Sequence, residues 1–167
     1  MKLFTLGPDK TNCQAAAYHY LKAKNILGEV KLFNTLEEAT EKITNEDNSH
    51  LLSCIAYPDL HKIVFRNLSK LRLVDSFIFN TIPMVLACNE NSNRDTIITH
   101  PAPIDLINKK EFKIIELANS NSNAAVECSK GRYDCCITTL TAAKKHNLKI
   151  IENFGEIPMG FALHKAI

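Results

Sequence analysis

Apolar positions along the chain fall into short alternating or continuous runs, separated by stretches in which they recur every three or four residues. That pattern is expected of strands alternating with helices. Lys2 to Leu6 forms the first run and stops at Gly7-Pro8, and Asn12 to Lys24 then carries Ala16, Ala17, Tyr20 and Leu21 at helical spacing. Glu29 to Phe33 predicts a second strand. Thr35 to Ile43 predicts a helix opening on a capping box of Thr35 and Glu38, and Leu51 to Tyr57 a third strand. The first third therefore reads βαβαβ.

Leu71 to Phe79 and Pro83 to Cys88 are strand candidates, and Asn80-Thr81-Ile82-Pro83 between them suits a hinge. After a polar turn over Asn89 to Asp95 a second round follows: strand Thr96 to Thr99, helix Ile104 to Asn108, strand Phe112 to Leu117, helix Ser122 to Lys130, strand Asp134 to Ile137 and helix Leu140 to His146. Strands near Ile150-Ile151 and from Ile157 to Leu163 let the tail return to the first lobe. The expected division is 1-81 plus 155-167 for one lobe and 82-154 for the other. In such α/β sheets ligands bind beyond the carboxyl ends of strands, where loops enter helices.

Composition narrows the classes. Hydrophobic residues make up 46% of the 167, enough for a sizeable core, and charged residues 23%, as in ordinary globular proteins. The 20 basic and 18 acidic residues give a net charge of +2 and are dispersed; Lys109-Lys110 and Lys144-Lys145 are only pairs, which argues against nucleic acid or an anionic membrane as partner. No apolar stretch approaches the ~20 residues of a membrane span, and the start lacks a secretory h-region, so the cytoplasm is expected. Six cysteines (Cys13, Cys54, Cys88, Cys128, Cys135, Cys136) have scattered spacing, for which reduced thiols are the simpler account. His19, His50, His61, His146 and His164 share no metal-ligand spacing, and no phosphate-binding or dinucleotide motif occurs, so no metal or cofactor is expected.

Three loops combine strand-end position with useful chemistry. Gly7-Pro8-Asp9-Lys10-Thr11-Asn12-Cys13 leads into the first helix, whose N-terminus favours an anion, with Lys10 adding a charge. The plainer use of Thr11 or Asn12 is as a cap. His100-Pro101-Ala102-Pro103 follows another strand, so His100 has the pKa range to donate to a carboxylate or move a proton, although a lone histidine is more often structural. Asn119-Ser120-Asn121-Ser122-Asn123 offers more short polar side chains than a single helix cap requires. Cys135-Cys136 beside Thr138-Thr139 reads as packed strand, because consecutive residues point to opposite faces.

These segments bring a resemblance. Leu6-Gly7-Pro8-Asp9-Lys10-Thr11 with Ala16-Ala17 resembles the opening signature of prephenate dehydratase domains. Ile82-Pro83-Met84, Thr99 to Ile107, Asn119-Ser120, Ala124-Ala125, Gly131, Asp134 and Ile157-Pro158-Met159 are similar in order and spacing to the prephenate decarboxylases of bacilysin biosynthesis. The resemblance implies a two-lobed type II periplasmic-binding-protein-like α/β fold without a C-terminal regulatory domain. It further implies cofactor-independent decarboxylation of prephenate, or of a similar cyclohexadienyl carboxylate, in antibiotic or dihydroaromatic amino-acid biosynthesis. His100 would be the catalytic residue, and Lys10, Thr11, Cys13, Pro101, Asn119, Ser120, Asn121 and Ser122 would bind the small carboxylate. A homodimer is possible. The dehydratases' threonine-arginine-phenylalanine motif is missing from the region of Glu152 to Phe161, which argues against dehydration. Lys10 replaces the second glycine of the opening signature, Cys13 replaces its serine, and Cys54-Ile55-Ala56-Tyr57 departs from the family's proline-containing strand end. Those departures keep open a non-catalytic protein of the same fold that binds or senses a small carboxylate.

Overall fold

A computed structural model describes residues 1–167 except residues 44 and 91. They divide into two compact units, Met1–Phe79 with Pro158–Ile167, and Asn80–Ile157.

The first unit is a five-stranded sheet in the order β2-β1-β3-β10-β4, where β1 is Lys2–Leu6, β2 Glu29–Phe33, β3 Ser49–Cys54, β4 Leu71–Asn80 and β10 Pro158–Ala166. β1 runs parallel to β2 and β3, and β10 runs antiparallel to β3 with Phe161 opposite Cys54 and His164 opposite Leu51. Alternation along β1 sends Leu3 to one face, where Ala16, Ala17, Tyr20 and Leu21 of α1 (Asn12–Ala23) pack with Leu52, Phe161 and Leu163. Phe4 goes to the other face, against Leu36, Ala39 and Ile43 of α2 (Leu36–Ile43) and Ile63 of α3 (Leu60–Arg66). Half of the expected capping box is present, Glu38 N–H donating to Thr35 Oγ1 at 3.1 Å.

The second unit has the order β7-β6-β8-β5-β9, with β5 Met84–Cys88, β6 Thr96–Thr99, β7 Ile114–Leu117, β8 Cys135–Thr139 and β9 Lys149–Gly155. β6 is parallel to β7 and β8, and β5 is antiparallel to β8 and β9. α4 (Asn121–Ser129) and α5 (Leu140–Lys145) cover one face through Ala124, Ala125, Cys128 and Ala143. Leu106, Ile107, Phe112 and Ile157 pack on the other. Asp134, one of the residues carrying the resemblance, is structural: its Oδ2 accepts from the N–H groups of Asp95 and Thr96, both at 2.9 Å, and from Thr96 Oγ1.

Several expectations change. The helix expected over Ile104 to Asn108 is two 3-10 turns, Ile104–Leu106 and Lys109–Glu111, separated by extended backbone at Ile107. Pro101 and Pro103 do not cause the break, since first-turn N–H groups have no intrahelical partner; it comes where Ile107 turns extended, with φ -113° and ψ 156°. β3 starts earlier than expected and ends at Cys54, where Tyr57 N–H turns back to the Cys54 carbonyl at 3.0 Å. α3 was not legible: it has seven residues, and Asp59 before it makes no side-chain cap bond. The thiols are not all reduced. Cys88 and Cys135 form a disulfide, because antiparallel pairing sets them opposite each other across a sequence separation of 47. The polar turn expected over Asn89 to Asp95 includes residue 91, which lies outside the described residues. No helix among the described residues is long and apolar enough to cross a membrane.

Candidate functional site

In each unit the carboxyl ends of adjacent parallel strands open on one sheet edge, and the predicted residues sit on the loops there. In the first unit, β1 leads through Gly7–Lys10 into α1. Thr11 is the N-cap, its Oγ1 accepting from Gln14 N–H at 3.5 Å, so part of its chemistry goes to capping. Lys10 is exposed, its main-chain N–H donating to Gln14 Oε1 at 2.6 Å, and its φ of 64° lies in the left-handed region that glycine occupies freely. Cys13 sits half-buried on the first turn. Burial and the nearby Cys54 thiol at the end of β3 outweigh a hydrogen bond with Thr5 and leave its thiol pushed up to about 12. It is therefore a protonated, unreactive group at neutral pH.

The second unit gathers more. β6, β7 and β8 are parallel neighbours, so their ends at Thr99, Leu117 and Thr139 bring His100-Pro101, Asn119 to Ser122 and the start of α5 to one edge. Ala118 N–H bonds the Thr99 carbonyl at 2.9 Å, tying the first two loops together. Thr138 Oγ1 donates to the Asn121 carbonyl at 2.6 Å, tying in the third. Ser120, buried, is the N-cap of α4 with its Oγ accepting from Asn123 N–H at 3.0 Å. The N–H groups at the start of α4 and the positive end of its dipole suit a carboxylate. The Asn121 side-chain oxygen is buried with no hydrogen-bonding partner, an acceptor left for a donor to fill. Ser122 is half-buried; Asn119 and Pro101 are exposed.

His100 is half-buried, and burial holds its imidazole below the ordinary histidine range. Its Nδ1 accepts from Ala102 N–H at 3.2 Å, which fixes the neutral tautomer with the proton on Nε2. The side chain thus offers a positioned Nε2–H donor. Sequence reasoning passed over Thr99, whose buried hydroxyl donates to the His100 carbonyl at 3.0 Å, and over Thr138 and Thr139. The last two lie on a strand that reads as core, and only their place beside α4 and at the N-cap of α5 gives their hydroxyls work. The described residues contain no group of three or more His, Cys, Asp or Glu able to hold a metal ion.

The fold is shared with solved prephenate dehydratases. One from Arthrobacter aurescens superposes with a TM-score of 0.69 at 15% identity, covering 100% of this chain and 61% of that one. Another, from Staphylococcus aureus, gives 0.68 at 15%, covering 99% and 66%. This chain thus spans somewhat less than two thirds of the dehydratases' length. The substrate-binding protein of an amino acid ABC transporter matches with a TM-score of 0.55 at 14% identity over 99% of the chain. The class is accordingly the two-lobed, prephenate dehydratase-like and periplasmic-binding-protein-like α/β fold. Among curated proteins, a prephenate decarboxylase of Bacillus subtilis (strain 168) is 28% identical over 173 residues, 95% of this chain and 83% of its own length. One of Planktothrix agardhii is 29% identical over 177 residues, covering 96% and 86%. The resemblance to the prephenate decarboxylases therefore holds along nearly the whole chain. No protein-family model matches it.

Proposed function

We propose that the chain decarboxylates prephenate, or a similar cyclohexadienyl carboxylate, without an organic or metal cofactor. Homology to prephenate decarboxylases supports the substrate. The observation that carries the chemistry is the His100 imidazole, its Nδ1 engaged by Ala102 N–H, on the same sheet edge as the start of α4. In the second unit, Ser120, Asn121 and Ser122 are assigned to substrate binding, with the Asn121 oxygen accepting from the ring hydroxyl and Pro101 and Asn119 lining the corner. In the first unit, Lys10 and Thr11 are assigned to carboxylate binding, with Cys13 as a neutral wall. When the ring carboxylate leaves as CO₂, its bonding pair moves through the diene to the far ring carbon, and His100 delivers or orients the proton taken up there. The ring hydroxyl is retained. We further place this step in antibiotic or dihydroaromatic amino-acid biosynthesis, in the cytoplasm, with a homodimer possible.

Incubation with prephenate tests the reading: CO₂ and a non-aromatic hydroxylated pyruvate should appear, and His100→Ala should lower turnover by ~10²-fold or more with substrate binding retained. Phenylpyruvate as the product, or no turnover, removes it. The positive φ at Lys10, where the family has glycine, and the unreactive Cys13 thiol favour a second reading, a non-catalytic carboxylate-binding protein. In that case prephenate raises the melting temperature and is recovered unchanged.

A further inference from the structure

On the α3 side of the first unit, a groove of about 430 Å³ runs between α3, the segment that joins β3 to it, and the strands β4 and β10. Its volume falls within the range of small-molecule sites. Its walls are apolar: Ile55, Phe65 and Leu73 are 60%, 68% and 56% exposed, with Leu60, Val64 and Ala162 between them. Neither Lys10, Thr11 nor Cys13 lines it, so it is separate from the corner assigned to prephenate.

One lining group does not fit an idle surface groove. His164, on β10, is only 5% exposed, and its Nδ1 is buried with no hydrogen-bonding partner. A buried imidazole nitrogen left unpaired destabilises the fold unless something supplies the missing bond. Near neutral pH this ring is uncharged, because burial lowers its pKa, so it presents one donor and one acceptor nitrogen. At the rim Asp59 pairs with Lys62 at 2.8 Å, the Tyr57 hydroxyl donates to Glu37 at 2.8 Å, leaving its ring as wall, and His61 is exposed to solvent. A charged guest would lose hydration here without gaining a counter-ion.

We propose that this groove is a second binding site, one that takes an uncharged aromatic molecule carrying a hydroxyl group. The ring lies against Ile55, Phe65 and Leu73, and the hydroxyl, able both to donate and to accept, meets His164. Reaching Nδ1 requires only that the imidazole or a neighbouring side chain shift, as at many apolar sites that adjust side-chain rotamers on binding. This inference is independent of the decarboxylase reading.

Phenol is the probe, titrated into the full chain and followed by NMR of methyl and imidazole resonances. Saturable shifts confined to Ile55, Val64, Leu73 and His164 are expected, with benzene binding about tenfold more weakly for want of the hydroxyl. Ala162→Leu, which fills the groove, should abolish the response; if that variant does not fold, Leu73→Glu at the exposed rim should do the same. Absence of saturable shifts up to the solubility of phenol overturns the proposal. So do shifts centred elsewhere, equal affinity for benzene, or an unchanged response in the folded variant.

Discussion

At Lys10 the backbone adopts φ 64° although the side chain is not glycine. A non-glycine residue in that region costs roughly 1 kcal/mol or somewhat more. Lys10→Gly is therefore expected to raise unfolding stability by about 1 kcal/mol, less the extra entropy glycine brings to the unfolded chain, as read from urea midpoints. The same variant bears on function: if Lys10 holds a carboxylate, the more stable protein binds prephenate less tightly. An unchanged affinity would remove Lys10 from the site. The sequence shows a lysine in this turn, but not that the backbone takes the left-handed conformation there. Likewise it marks His100 as chemically apt, while only the Ala102 N–H contact sets which nitrogen carries the proton.

Elements owe their limits to caps that side-chain spacing only partly reveals. α4 starts at a buried serine whose Oγ accepts from Asn123 N–H, and it ends before Gly131, which takes φ 74° as helix-terminating glycines do. Ser120→Ala should cost about 1 kcal/mol of stability, whereas Asn123→Ala, on the exposed side of the same turn, should stay within about 0.5 kcal/mol. Equal effects in thermal or urea unfolding would deny Ser120 its capping role. The polar run at 119–123 made this start legible, because several short oxygen-bearing side chains before an Ala-Ala pair are what a helix start needs. α3 was not legible for the opposite reason: no side chain caps it, and the β-branched Ile63 and Val64 at its centre are weak helix formers. Packing of Ile63 against Leu36, Ile43 and Leu71 supplies what propensity lacks.

At the scale of the whole molecule, three histidines make stability depend on pH: His50, His164 and the half-buried His100, whose pKa burial also lowers. His50 and His164 are buried, and burial lowers both pKa values; for His50 the charges of Lys165 and the N-terminus lower it further, against a hydrogen bond with Asn48. Unfolded histidine titrates near 6.5. Below that pH the unfolded chain takes up protons that the folded chain refuses. Stability is thus fully present above about pH 6.5 and is lost as pH falls through that value toward the lower folded pKa values. The melting temperature should drop between pH 7.5 and 5.5, and by less in His164→Phe. Glu46, held below the carboxylate range by Lys2 and Lys31, acts in a more acidic window and leaves this one clear.

The sequence by itself determined the alternation of strands and helices, most of the β-strands, and the three polar corners with His100 and Ser120 at their centres. Hydrophobic period and capping chemistry are local, so they can be read residue by residue. Only the tertiary structure decided which corners share a sheet edge, since that follows from the parallel pairing of β6 with β7 and β8. It also decided that Cys88 meets Cys135 and that His164 is buried beneath α3 with a nitrogen unmatched. Strand order and register depend on contacts between residues far apart in the chain, and no single stretch of sequence carries them.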